Sequence, residues 1–238
     1  METSLKVANP WAQAPVFVRE RTQSTMDDAR RLALDGCMEG TVVVAGFQRE
    51  GRGRAPGRTW HSPAWESLTA TIVLDAGAFS FPLAQLPLRA AVAVCLAAED
   101  CGVRPRIKWP NDILCEGKKL AGILCETCGK AALVGIGVNC MQKTFPAALA
   151  GVACSILQVT GREMNPLSLL PVVLARLKGA LGDGQWREKL VARLASRGER
   201  VRMTLPHGGA VEGILQEVDE QGKLIVKSDA GDLLRIES

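Results

Sequence analysis

Residues 107–139 read IKWPNDILCEGKKLAGILCETCGKAALVGIGVN. Four short apolar runs, at 107–109, 113–114, 120–125 and 131–138, are parted by Pro110-Asn111-Asp112, Glu116-Gly117-Lys118 and the turn-like stretch 127–130. Runs too short for helices, joined by Gly, Pro, Asn and Asp, predict an antiparallel meander. Upstream, residues 86–101 are Ala-rich and free of Gly and Pro after Pro87, which predicts a long buried helix. Before that, Leu68, Ala70, Ile72 and Leu74 alternate with Thr69, Thr71 and Val73, a strand with two unlike faces. A buried strand is expected at 41–47. Ser24 and Thr25, ahead of Asp27 and Asp28 and of Ala29, Leu32 and Ala33, predict an N-capped helix closed by Gly36. Residues 1–15, with Pro10 and Pro15, read as an irregular lead-in, with order expected from near Val16. Downstream, helices are expected at 167–181 and 186–196. The strands expected at 200–205, 211–218, 224–227 and 232–236 are punctuated by His207-Gly208-Gly209, Gln221-Gly222 and Ala230-Gly231. Elements in blocks, without regular βαβ alternation, give an α+β fold. Its expected form is a mixed, largely antiparallel sheet with packed helices over residues 1–196, and a small β-barrel over 197–238.

Composition narrows the function. The chain has 238 residues, 47% of them hydrophobic and 23% charged, which is a folded globular composition. The longest apolar run, residues 90–98, is under half of the roughly 20 residues a membrane span needs. The N-terminus lacks the basic start and apolar run of a secretory signal, so a cytoplasmic location is expected. Eight cysteines scattered among apolar neighbours read as buried thiols rather than disulfides. The net charge of +4 forces neither a nucleic-acid nor a membrane reading. Two histidines, His61 and His207, give a histidine metal site or a Ser-His-Asp triad almost nothing to draw on. Five Phe, five Trp and no Tyr leave little material for base stacking.

Three stretches carry the chemistry. Gly51-Arg52-Gly53-Arg54-Ala55-Pro56-Gly57-Arg58-Thr59-Trp60 sits between two strands and packs three arginines among three glycines. It reads as a mobile loop able to wrap polyphosphate, or as a solvated basic loop or an RGG-like contact to nucleic acid. Lys108-Trp109-Pro110-Asn111-Asp112, followed by Lys119-Leu120-Ala121-Gly122-Ile123-Leu124, can bring an ammonium beside an anion with backbone room at Gly122. A surface lysine beside a hairpin turn fits as well. Asn139 is a base-reading amide or a turn residue. Neither a GxxxxGK[ST] loop nor a GxGxxG strand-to-helix turn is present, so P-loop and Rossmann nucleotide sites are unsupported. Cys125-Glu-Thr-Cys128 is a single CxxC without a partner pair, read as two thiols rather than a zinc or redox site.

In order and approximate spacing, Ser24-Thr25, Gln48 with Gly51-Arg52-Gly53-Arg54, the KWPND and KLAGIL stretches and Gly135-Ile-Gly-Val-Asn139 resemble the biotin protein ligases. The resemblance runs from Ser24 to about Ser238. It implies a class II aminoacyl-tRNA synthetase-like catalytic domain and an SH3-like β-barrel. It also implies an ATP- and Mg2+-dependent ligase: the biotin carboxylate attacks the α-phosphate to give biotinyl-5′-AMP, and a lysine of a biotin carboxyl carrier protein then takes the acyl group. Lys119 matches the family's central lysine, with Arg52 and Arg54 catalytic beside it. Ser24, Thr25, Gln48, Gly51, Gly122 and Leu124 fall on the biotin side. Arg58, Trp60, Asn111, Asp112 and Asn139 fall on the nucleotide side, with Asp112 the candidate Mg2+ contact and no metal ligand assigned outright.

Three features depart from the family pattern. Met26 stands where an asparagine is usual, Ala55-Pro56 lengthens the arginine loop by one residue, and the chain stops at Glu237-Ser238, early for the terminal barrel. Met26 keeps a lipoate or octanoate ligase on the same fold as the alternative, while polar Thr25 and Gln48 suit biotin's ureido ring. A nucleic-acid-binding protein is the rival from another class. Residues 200–238 hold five Lys or Arg against seven Asp or Glu, which speaks against it. Only 23 residues precede Ser24, fewer than the roughly sixty of a helix-turn-helix domain, so DNA binding is not expected and the monofunctional type is. Family members often associate through sheet edges, so a homodimer is an expectation here.

Overall fold

The computed structural model describes residues 3–4, 7–55, 57–205 and 208–237. The expectations that rest on Pro56, His207 and Ser238 fall outside them. Strands β1 (Thr3–Ser4) and β2 (Val16–Thr22) lead into helix α1 (Thr25–Leu34), β3 (Val42–Gln48) and β4 (Ser67–Asp75). Helix α2 (Leu86–Asp100) follows, then the meander β5 (Arg106–Lys108), β6 (Asp112–Cys115), β7 (Lys118–Cys128) and β8 (Ala131–Asn139). Helices α3 (Ile156–Thr160), α4 (Pro166–Leu181) and α5 (Trp186–Arg193) precede β9 (Arg200–Thr204), β10 (Ala210–Val218), β11 (Leu224–Lys227) and β12 (Leu233–Ile236).

The first eight strands form one sheet in the order β1-β2-β3-β4-β8-β7-β6-β5. Only β2 and β3 run parallel, because α1 carries the chain back between them. The α+β reading with a mostly antiparallel mixed sheet therefore holds, and α3 is the one α-helix among the described residues that the sequence pattern did not announce. The alternation in β4 is realised on two faces. Leu68, Ala70, Ile72 and Leu74, with Val134, Ile136 and Val138 of β8, join the large core under α2 and α4. Thr69 and Thr71 face the other way, toward α1, which buries Met26 and Ala29 against Val43, Val73 and Leu133.

The lead-in corrects one expectation, since order begins before Val16. Trp11 is buried against Gly40, and the Asn9 amide donates to the carbonyls of Ala14 and Gly40. Arg89 on α2 is the core's one buried guanidinium among the described residues. It donates to the carbonyls of Ala180 and Asp183 at 2.9 and 3.0 Å and lies over the Phe81 and Trp186 rings, so the negative end of α4 compensates its burial.

The last four strands are an antiparallel meander, β12-β11-β10-β9, with β12 and β9 at its edges. Leu215, Val218, Leu224 and Val226 belong to the same cluster of buried residues as the large core. A turn of this sheet reaches the eight-stranded part of the chain: Trp109 Nε1 donates to the Gly222 carbonyl at 3.0 Å and the Gln85 amide to that of Glu220 at 2.6 Å. Among the described residues no helix is long and apolar enough to cross a membrane.

Candidate active site

The threonine face of the sheet is floored with glycine. Gly137 of β8 lies opposite Thr69 of β4 and Gly122 of β7, and Gly135 lies opposite Thr71 and Leu124. Residues paired across strands share a face, so three glycines leave a shallow trough where side chains would otherwise stand. It opens a cleft of about 530 Å3, part of it in solvent, bounded by α1, β3 and the arginine loop.

At the inner end, Ser24 caps α1, its hydroxyl accepting from Met26 N at 3.3 Å. Thr25 N and Oγ1 both donate to Gln48 Oε1, at 2.8 and 3.0 Å, and the Thr71 hydroxyl donates to Thr25 Oγ1 at 2.9 Å. The helix start, β3 and β4 thus hold the oxygen of the Gln48 carboxamide, whose nitrogen donates to no described residue. This corner offers donors and acceptors of fixed direction, which a cyclic urea needs.

The two arms of the arginine loop pair as a hairpin. Trp60 N donates to Gly51 O and Gly53 N to Arg58 O, both at 2.8 Å. A Cβ on Gly51 would lie 2.7 Å from the Trp60 carbonyl, and one on Gly53 2.9 Å from Arg58 Cβ, so the ladder closes only over glycine. Arg52 and Arg54 line the cleft, and Arg52 is paired with Asp27 in the first turn of α1. Arg58 is exposed on the same hairpin and does not line it. The Trp60 indole lies over Gly137, where a Cβ would come within 2.7 Å of it, and its Nε1 is buried without a partner among the described residues.

Lys119 sits at the start of β7 with its Nζ 2.7 Å from Asp112 Oδ1 and 5.9 Å from the Trp60 ring centroid. Its backbone is held on both sides: Lys119 N donates to Val152 O at 2.8 Å and Cys154 N to Lys119 O at 2.9 Å. Asp112 comes into place because β6 sets it opposite Gly122, and because Asn111 is pinned by hydrogen bonds with Ile123 of 2.8 and 2.9 Å.

Of the residues picked out in the sequence, Ser24, Thr25, Gln48, Arg52, Arg54, Trp60, Asn111, Lys119, Gly122 and Leu124 converge on this cleft. Gly51 shapes it through the hairpin, and Asp112 reaches it through Lys119. Asn139 does not line it. That side chain is buried and donates to Cys154 O at 3.0 Å, which makes it a strut behind Lys119. Thr69, Thr71, Gly135 and Gly137 also line the cleft, although the sequence reading gave them no site role; the period of two in β4 and β8 is the signal that points to them. The CxxC thiols lie on opposite faces of β7, Cys125 with the core under α2 and Cys128 with the α1 cluster, so the pair cannot chelate one ion. Burial pushes the Cys125 thiol up to about 12 and that of Cys154 to about 11, which keeps both protonated and unreactive at neutral pH.

Residues 18–142 match the biotin/lipoate A/B protein ligase family, and residues 197–238 match the biotin protein ligase C-terminal domain. The chain is 36% identical over 230 residues to the biotin–[acetyl-CoA-carboxylase] ligase of Paracoccus denitrificans, covering 89% of this chain and 93% of that one. It is 33% identical over 223 residues to the bifunctional ligase/repressor BirA of Bacillus subtilis, covering 87% and 68%. Among solved structures, the biotin protein ligase of Aquifex aeolicus in complex with biotin and ATP superposes with a TM-score of 0.84 at 28% identity, over 94% of this chain and 95% of that one. The chain belongs to the biotin/lipoate protein ligase family. Within that family it groups with the biotin protein ligases.

Proposed function

We propose that the protein activates biotin with ATP and passes it to a lysine of a biotin carboxyl carrier domain. In the first step a biotin carboxylate oxygen bonds to the α-phosphorus as the bond to the β-phosphate oxygen breaks, giving biotinyl-5′-AMP and pyrophosphate. In the second the acceptor amine attacks the acyl carbon, AMP leaves with the bonding electrons, and the amine loses a proton. The observation that carries this reading is the convergence of Lys119, Arg52 and Arg54 on a glycine-floored cleft whose inner end is the Thr25–Gln48 corner. Two anions repel as they meet, and fixed cations lower that cost most where charge shifts toward the leaving phosphate.

In this reading Ser24, Thr25 and Gln48 hold the ureido ring, and the glycine backbone at 122 lies along the acyl chain. Lys119 bridges carboxylate and α-phosphate, and Arg52 and Arg54 close over the anhydride and exclude water. Arg58, Trp60 and Asn111 take the nucleotide side, and Asn139 serves it through the backbone it supports. Asp112 has one oxygen on Lys119 and the other without a partner among the described residues. A Mg2+ ion arriving with ATP uses one or two carboxylates besides phosphate and water, which Asp112 fits, and there it would neutralise phosphate charge. The division at residues 196 and 197 is taken as the boundary between the ligase unit and its C-terminal unit.

The test is pyrophosphate release with ATP and Mg2+, comparing biotin, lipoate and octanoate, with mass spectrometry of the bound acyl-adenylate. Release with biotin and a bound biotinyl-5′-AMP is expected. Release with lipoate or octanoate alone would move the substrate, and silence with all three would end the ligase reading.

A further inference from the structure

Met26 follows Thr25 in α1, yet its side chain is 3% exposed and lines the cleft. Its methyl rests directly on β8, where a Cβ on Gly135 would lie 2.8 Å from it. Ala29, Val43, Val73 and Leu133 pack with it, so Met26 is where this small apolar cluster meets the cleft. On its flank stand Thr25 and Gln48, whose carboxamide is already oriented. The inner end of the cleft is therefore divided into a hydrogen-bonding edge and a soft, polarizable floor.

A bicyclic ligand must divide in the same way. If the cyclic urea takes the Thr25–Gln48 edge, the ring fused to it lies against the neighbouring surface, which here is Met26 over Gly135. A polar side chain at that position would lose its water against the ring without gaining a partner. We infer that Met26 is a specificity-determining residue: its thioether receives the sulfur-bearing ring of biotin and supplies the discrimination against desthiobiotin, which keeps the urea and the acyl chain but lacks the sulfur bridge. This rests on the biotin reading above.

The experiment is calorimetric titration of the full chain and of Met26→Ala and Met26→Leu with biotin and with desthiobiotin, alongside a thermal melt of each variant. The wild-type chain is expected to bind biotin more tightly than desthiobiotin. In Met26→Ala the ratio of the two dissociation constants should fall about tenfold, the order expected when contacts to two methylene-sized groups are lost. Met26→Leu keeps the volume but its branch cannot lie flat on Gly135, so a fall of about threefold is expected there, and this variant decides if Met26→Ala does not fold. A ratio within twofold of wild type, in a folded variant and with biotin still bound by the wild type, overturns the inference and leaves the ligase reading standing. A wild-type chain that binds no biotin overturns both.

Discussion

The two faces of the large sheet are written by alternate residues of the same strands, and they do opposite work. In β8, Val134, Ile136 and Val138 enter the core while Gly135 and Gly137 floor the cleft. In β4, Leu68 and Ile72 are buried under the helices while Thr69 and Thr71 look into the site. The helical face gains its stability from shape and volume. The cleft face has traded side chains for room and gains its chemistry from a few charges hung over the glycines. A substitution on one face should therefore move stability and on the other rate, and mutation can ask how cleanly the two separate.

The largest effect is expected at Lys119. Removing its ammonium in Lys119→Ala should lower adenylate formation about 10^3-fold, about 4 kcal/mol in the transition state, the scale seen when a preorganised donor is deleted. Stability should change by no more than about 1 kcal/mol, because the Lys119–Asp112 pair is partly solvent-exposed and such pairs contribute little. Pyrophosphate release and a denaturant titration on one preparation measure both. Unchanged turnover would remove Lys119 from the chemistry.

The converse lies on the other face of the sheet, two strands away on β4. Ile72 is fully buried beneath the helices. Ile72→Ala should cost about 3 kcal/mol of folding stability through lost transfer energy and a residual cavity. The rate per folded molecule, read at a temperature well below the melt, should stay within about twofold of wild type. A tenfold loss of rate there would mean that strain crosses the sheet and that the two faces are not separable.

How far the sequence reached follows the same division. The helical face is written in periodicity, so β4, the meander and α2 could be read within about three residues, because burying a face demands a repeating pattern. The cleft is written in what is missing. Gly135 and Gly137 carry no chemistry of their own, and only the cross-strand register of β4, β8 and β7 shows that they lie beside Gly122. The Thr71–Thr25–Gln48 relay likewise joins residues 46 and 23 apart in sequence, a distance over which no local pattern speaks. Asn139 shows the reverse limit: the motif points to a ligand role, and only the structure shows its amide donating to the backbone carbonyls of Lys119 and Cys154. The lead-in was underread because a single Trp11 anchored on Gly40 needs no period.

The finest test adds one methyl to the floor. A Cβ on Gly137 would lie 2.7 Å from Trp60 Cε2, too close for both to keep their places. In the core such a clash would strain packed neighbours, but here the partner is an indole on a hairpin that can tilt outward. Alanine also costs less chain entropy in a strand than glycine, a gain of roughly 0.5–1 kcal/mol. Gly137→Ala should accordingly leave stability within about 1 kcal/mol of wild type while weakening ligand binding about fivefold, since the displaced indole and the new methyl both narrow the trough. Calorimetric titration with biotin set against a denaturant curve separates the two quantities. A variant that loses several kcal/mol of stability would show that Trp60 is part of the fold rather than of the site, and the glycine floor would then have to be reckoned as packing.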